Sequence, residues 1–249
     1  MKKTSLIIAA LIALTGAAQA LTTTEVQTQI VAQHKPNQNT DLTFNRFNTA
    51  DTAFQAGRTL TAITISCSLE WWGGSFAVDN DSASPSSGTL SLTGGAILSS
   101  QDVLGIPVAA RTVSHNLSAI FNLTANNGDP VNEFNADAAG LDYARIDGPD
   151  YANRKTVSGS GDVAANMRAG YVSSGVETFV ITYASSQSQN WSGLGGNATS
   201  STAMDALGSV TITYTYDYNA VPEPTSAALL AMGCAVICMR RRGRRAPKA

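Results

Sequence analysis

A chain of 249 residues is long enough for one good-sized domain once its processing segments are set aside. Charged residues make up only 14% while Ser and Thr supply 51 positions, a balance that suits half-exposed strands and polar turns better than solvated helices. The formal charge of −2 conceals basic clusters at both ends: between Leu21 and Val221 eight Lys and Arg stand against seventeen Asp and Glu, a net −9 that argues against nucleic acid and anionic lipid as partners of the body.

The chain opens with Lys2 and Lys3, then an apolar stretch from Leu6 to Leu14, then Ala18-Gln19-Ala20. A basic start, a short greasy run and a small-x-small site define a signal peptide over residues 1–20, cut by signal peptidase between Ala20 and Leu21. Nine apolar residues cover only about 14 Å as a helix, too little for a permanent anchor.

A body over residues 21–220 follows, and its main signal is period-two alternation. Residues Ile63, Ile65, Cys67, Leu69 and Trp71 point one way, with Thr64, Ser66, Ser68 and Glu70 the other. The pattern returns at Val113, His115, Leu117, Ala119, Phe121 and Leu123, and at Val210, Ile212, Tyr214, Tyr216 and Tyr218. Weaker runs lie at Leu42–Phe47, Gly88–Leu92 and Thr178–Tyr183, with turn-rich clusters at Asp79–Gly88, Asn126–Pro130 and Gly193–Asn197. Ala136–Arg145 is the best helical candidate, weakened by Gly140. Many short strands joined by such turns predict an all-β, antiparallel β-sandwich or jelly-roll-like single domain. Cys67 is the one cysteine between Leu21 and Asn219, so an intrachain disulfide is ruled out there and stability rests on an apolar core.

The end of the chain reads Val221-Pro222-Glu223-Pro224, then an apolar run from Ala227 to Met239, then Arg240, Arg241 and Arg242 with Arg244 and Arg245. Two prolines cannot join a ladder or a helix interior and hold an extended, protease-readable linker. The thirteen apolar residues span about 20 Å as a helix, so snorkelling arginines and local thinning must complete a short transmembrane helix. The arginines stop transfer and place the C-terminus in the cytoplasm, with the body across the inner membrane.

This tail over residues 221–249 resembles the PEP-CTERM sorting signal of Gram-negative bacteria. The resemblance rests on Pro222, Glu223 and Pro224, the apolar run and Arg240 to Arg242, in that order. It implies recognition by an exosortase, transient residence in the inner membrane, and transfer to the cell surface or extracellular matrix of bacteria that also make exopolysaccharide. The body is similar to the choice-of-anchor E domain. That likeness rests on Phe44-Asn45-Arg46-Phe47, the segment Gly57–Ile65, Phe76–Asn80 with Ala83, and the closing strand Val210–Tyr216. It implies no catalytic residue.

Direct reading of the residues finds no catalytic constellation. His34 and His115 are the two histidines, one in a polar leading segment and one on an apolar strand face, and Gly159-Ser160-Gly161 is too short for a nucleophile elbow. One body cysteine with two distant histidines lacks zinc-ligand spacing. Acidic and amide oxygens at Asp79, Asn80 and Asp81, or at Asn127, Asp129, Asn132 and Glu133, match no EF-hand loop, so no metal or other cofactor is expected. Asp142, Asp147 and Asp150 with Tyr143 and Tyr151 form the densest acidic-aromatic cluster, the one place for a secreted hydrolase. An indole offers a broad apolar face with a polar handle, so Trp72, expected outside if its strand continues, and Trp191 are the candidate carbohydrate contacts, with exopolysaccharide as ligand. The expectation is a non-enzymatic surface or matrix protein, with carbohydrate binding as the alternative.

Overall fold

Period-two alternation should bury one side of each strand, and the computed structural model, which describes residues 20–50, 58–126, 128, 142–193 and 197–219, does so. Its strands are β1 (Ala20–His34), β2 (Asn39–Asn45), β3 (Phe47–Asn48), β4 (Arg58–Asn80), β5 (Ser86–Ser99), β6 (Thr112–Leu123), β7 (Tyr143–Asp147), β8 (Lys155–Asp162), β9 (Val172–Ser173), β10 (Thr178–Ser192) and β11 (Asn197–Asn219). A single helical turn, α1 (Val108–Arg111), precedes β6, and a 3-10 segment, Ala165–Tyr171, precedes β9.

Two antiparallel sheets make the sandwich. The first runs β1-β11-β4, with β7 and β8 sharing the far edge of β4: β7 pairs Ser75–Asp79 and β8 pairs Thr64–Trp71. The second runs β2-β10-β5-β6. β4 packs across β5, β1 across β2, and β6 across β7 and β8. Between them lie Ile63, Ile65, Cys67, Leu69 and Trp71 of β4, none more than 1% exposed, and Val210, Ile212, Tyr214 and Tyr216 of β11. β6 buries Val113, Phe121 and Leu123, as its alternation predicts. The expected all-β sandwich is the architecture of the described residues, antiparallel but for the short parallel pairing of β3 with β9.

Two local features shape this core. Gly94 on β5 faces the Trp71 indole so closely that an added Cβ would lie 2.8 Å from Cδ1 and 2.9 Å from Nε1. Gly73 and Gly74 of β4 sit at φ 66° and 73°, where a side chain is strained, and the buried parity slips from odd (Trp71) to even (Phe76, Val78) across them.

β1 closes one side in a way alternation does not reveal. Its outward positions carry Val26 (58% exposed) and Ile30 (75% exposed), while Glu25, Gln27 and Gln29 turn toward β2. The Gln27 amide donates to Asn45 O (3.1 Å) and its carbonyl accepts from Asn45 N (2.8 Å); Gln29 donates to Thr43 O (3.0 Å). Side chains of one edge strand therefore satisfy the free backbone edge of the other, which also blunts it against stray pairing. Next to them Arg58 lies 4.3 Å from the Phe47 ring and 4.1 Å from the Tyr216 ring, and donates to Glu25 at 2.5 Å.

The strands outrun their predicted extents. β4 continues past Trp71 to Asn80, so the turn expected at Asp79–Gly88 contracts to the residues between Asn80 and Ser86. The helix expected over Ala136–Arg145 is corrected at its end: Tyr143–Arg145 belong to β7, since pairing with β4 satisfies their backbone and overrides a weak local pattern; 136–141 lie outside the described residues.

Candidate functional site

The predicted leader, with Ala18, and the sorting elements Val221, Pro222, Glu223, Pro224, Arg240, Arg241 and Arg242 lie outside the described residues; Ala20 is the first residue of β1. Among the described residues no helix is long and apolar enough to cross a membrane. β1 pairs along β11 from Ala20↔Asn219 and Leu21↔Tyr218 onward, so the two ends of the sandwich meet side by side.

The tryptophans part company. Trp72 is not on the open surface: it is 8% exposed, and its outward-facing indole is covered by the Tyr151 ring, packed edge-on at 5.0 Å and 80°. Burying an indole against a second aromatic gains more than leaving it in water, which is why the expected surface contact became a floor. Trp191 is 44% exposed and rests on Phe76 at 5.7 Å, at the end of β10.

Tyr151, 56% exposed, belongs to a tightly tied loop between β7 and β8. Gly73 N donates to Pro149 O (2.7 Å) and Gly148 N to Gly74 O (2.9 Å), which anchors the loop on the positive-φ glycines of β4. Asp150 Oδ1 accepts from Asn153 N (2.8 Å) and Asn153 Nδ2 (2.9 Å). The Arg154 guanidinium stands 4.8 Å from the Tyr151 ring centre and pairs with Glu70, whose hydrogen bond pushes the Arg154 pKa further up. Across the sheet Asp205, opposite Trp72, pairs with Lys35 at 3.0 Å.

Two acids of the expected cluster sit at opposite ends of β7. Asp142 is 3% exposed just before the strand, and its carbonyl accepts from Asn80 N at 2.8 Å. Asp147 is exposed at the far end of β7, bound by Arg145 at 2.6 Å. Five residues of strand separate them by about 17 Å, beyond the roughly 5–9.5 Å that glycosidic acid pairs need. Among the described residues no group of three or more His, Cys, Asp and Glu side chains gathers as a metal site; Asn127, Asp129, Asn132 and Glu133 lie outside them.

One contact was illegible in sequence. His34 Nε2 meets Ser185 Oγ at 2.6 Å while Nδ1 meets Ala32 O at 2.8 Å, a histidine oriented by a backbone carbonyl and bonded to a serine. Ser185 is only 4% exposed, so the pair latches the end of β1 to β10 instead of offering a nucleophile to substrate. His115 lies 6.1 Å from the Trp71 ring on the half-buried face of β6. Cys67 is buried, and desolvation pushes its thiol up to about 12, out of the range of reactive cysteines.

The sequence matches no family model and no curated protein. Among solved structures it is similar to a chain of the T13 IBDV viral particle, at 12% identity and TM-score 0.18, over 89% of this chain and 47% of that one. It is also similar to a chain of mud crab tombus-like virus, at 8% identity and TM-score 0.24, over 86% and 88%. This chain spans about half the length of the first. Likeness at these scores carries no argument about what the protein does.

Proposed function

We propose that this chain is an exported, non-enzymatic protein of a Gram-negative envelope, sorted by an exosortase through its C-terminal tail and displayed at the cell surface or in the extracellular matrix as a structural or interaction module. The supporting observation is the register of β1 on β11. The first pair, Ala20↔Asn219, lies at the predicted leader junction and two residues before Val221. Cuts after Ala20 and near Pro222–Pro224 would therefore leave the ladder from Leu21↔Tyr218 onward whole, as a cargo domain requires. The buried Cys67 and the shielded Ser185 fit a module that works by its surface.

Deleting Pro222–Pro224 tests the sorting step. Cells carrying the deletion should hold the full-length tail in the inner membrane, with the body inaccessible to antibody outside the cell. Equal surface display with and without the motif contradicts the proposal.

A further inference from the structure

We infer that the Tyr151 loop is a carbohydrate subsite for a neutral hexopyranose chain. Sugar recognition needs an apolar ring face for the C–H side of a pyranose and a few fixed polar groups for its hydroxyls. Tyr151 provides the face: the ring is more than half exposed, packs edge-on against Trp72 and carries the Arg154 guanidinium over one side, which leaves its other side for the sugar. Its backbone is pinned as well, because the loop hangs from Gly73 and Gly74, its Pro149 carbonyl accepts from Gly73, and Asp150, one residue before Tyr151, accepts from Asn153, two residues after it. A tyrosine already held in place loses little freedom on binding, which is how an aromatic contact becomes productive.

The polar groups follow from the same packing. Asn153 and Asp150 are exposed at the rim, the Arg154–Glu70 pair flanks the ring, and the Lys35–Asp205 pair lies across the sheet beside Trp72. These offer donors and acceptors together. Each cation faces a carboxylate, so the patch adds no net positive charge to a body of net −9, which disfavours a uronate polymer and favours a neutral one. Trp191, the other exposed large aromatic among the described residues, rests on Phe76 at the end of β10; the subsite is assigned to Tyr151, whose ring has Trp72, Arg154 and the Asp150–Asn153 clasp around it. The inference stands independently of how the protein is sorted.

The test is affinity electrophoresis of the full chain in mild detergent through native gels carrying hydroxyethyl cellulose, laminarin, galactomannan or alginate. At least one neutral polymer should retard the wild type, and Tyr151→Ala should weaken that retardation by about tenfold in apparent Kd. Tyr151→Phe and Trp191→Ala should keep it, and the retarding polymer should slow nitration of Tyr151 by tetranitromethane in the unaltered protein, a readout that does not depend on any variant folding. No retardation by a neutral polymer, retardation by alginate alone, unchanged mobility of Tyr151→Ala, or unprotected Tyr151 each overturns it.

Discussion

Replacing Gly94 by alanine should destabilise the sandwich through one contact. The new Cβ would sit 2.8 Å from Trp71 Cδ1 and 2.9 Å from both Cγ and Nε1, inside van der Waals distance of an indole that is itself fully buried. Neither partner has room to retreat: Trp71 is pinned by its own strand, and β5 is hydrogen-bonded on both sides, to β10 and to β6. Overpacking of this kind costs about 1–3 kcal/mol. For a domain of this size each kcal/mol lowers Tm by about 2–4 °C, so the loss should fall between about 2 and 12 °C. Trp71→Ala makes the control. It removes Cγ, Cδ1 and Nε1, the three atoms the new Cβ would meet, and its own cost should be about 3–5 kcal/mol. Because that truncation vacates the space the alanine methyl needs, Gly94→Ala with Trp71→Ala should be more stable than the sum of the two changes by at least about 1 kcal/mol. Urea unfolding of the four proteins, followed by far-ultraviolet circular dichroism, measures the cycle. A neutral Gly94→Ala, or two strictly additive changes, would refute the packing argument.

Other expectations are read on the same instruments. Arg58→Lys keeps the charge opposite Glu25 but loses the planar stack on Phe47 and Tyr216, and should cost about 2 kcal/mol in urea unfolding. Gln27→Ala removes both bonds to the Asn45 backbone and should cost about 1–2 kcal/mol; an unchanged midpoint would mean that β1 is held by β11 alone. Iodoacetamide at pH 8 should leave Cys67 unlabelled in the native protein and label it in urea, as peptide mass spectrometry will show. The folded thiol keeps its proton to about 12 while the unfolded one loses it near 9.0. The folded state therefore binds more protons between those values, and stability contributed by the neutral thiol is present below pH 9 and lost as pH rises toward 12. Cys67→Ala should make that decline shallower; Tyr171, pushed up from 10.0 to about 12 by burial, keeps part of it in place.

The strands with an apolar side were legible because the signal was the packing itself: Ile63 to Trp71 and Val210 to Tyr216 alternate in sequence as they do in the core. β1 was not legible, since Glu25, Gln27 and Gln29 lie on its inner side ahead of the buried Val31, while its apolar Val26 and Ile30 face solvent. β8 was equally hidden. Its sequence KTVSGSGD carries one large apolar residue, and the strand exists because the edge of β4 is there to pair with it. The candidate site shows the same limit. Alternation put Trp72 outside its sheet, which is where it points, but could not show that a loop arriving from seventy-nine positions later, Tyr151 minus Trp72, would cover it and become the exposed ring. Long-range contact decides such cases, as it does for His34 and Ser185, 151 residues apart.

Intact mass spectrometry of the protein recovered from its own cells, fractionated into cytosol, inner membrane and exterior, tests the central claim most directly. The account predicts an exterior species that begins at Leu21 and ends near Pro222–Pro224, with the apolar run and the arginines gone. A cytosolic species beginning at Met1 and ending at Ala249 would contradict it.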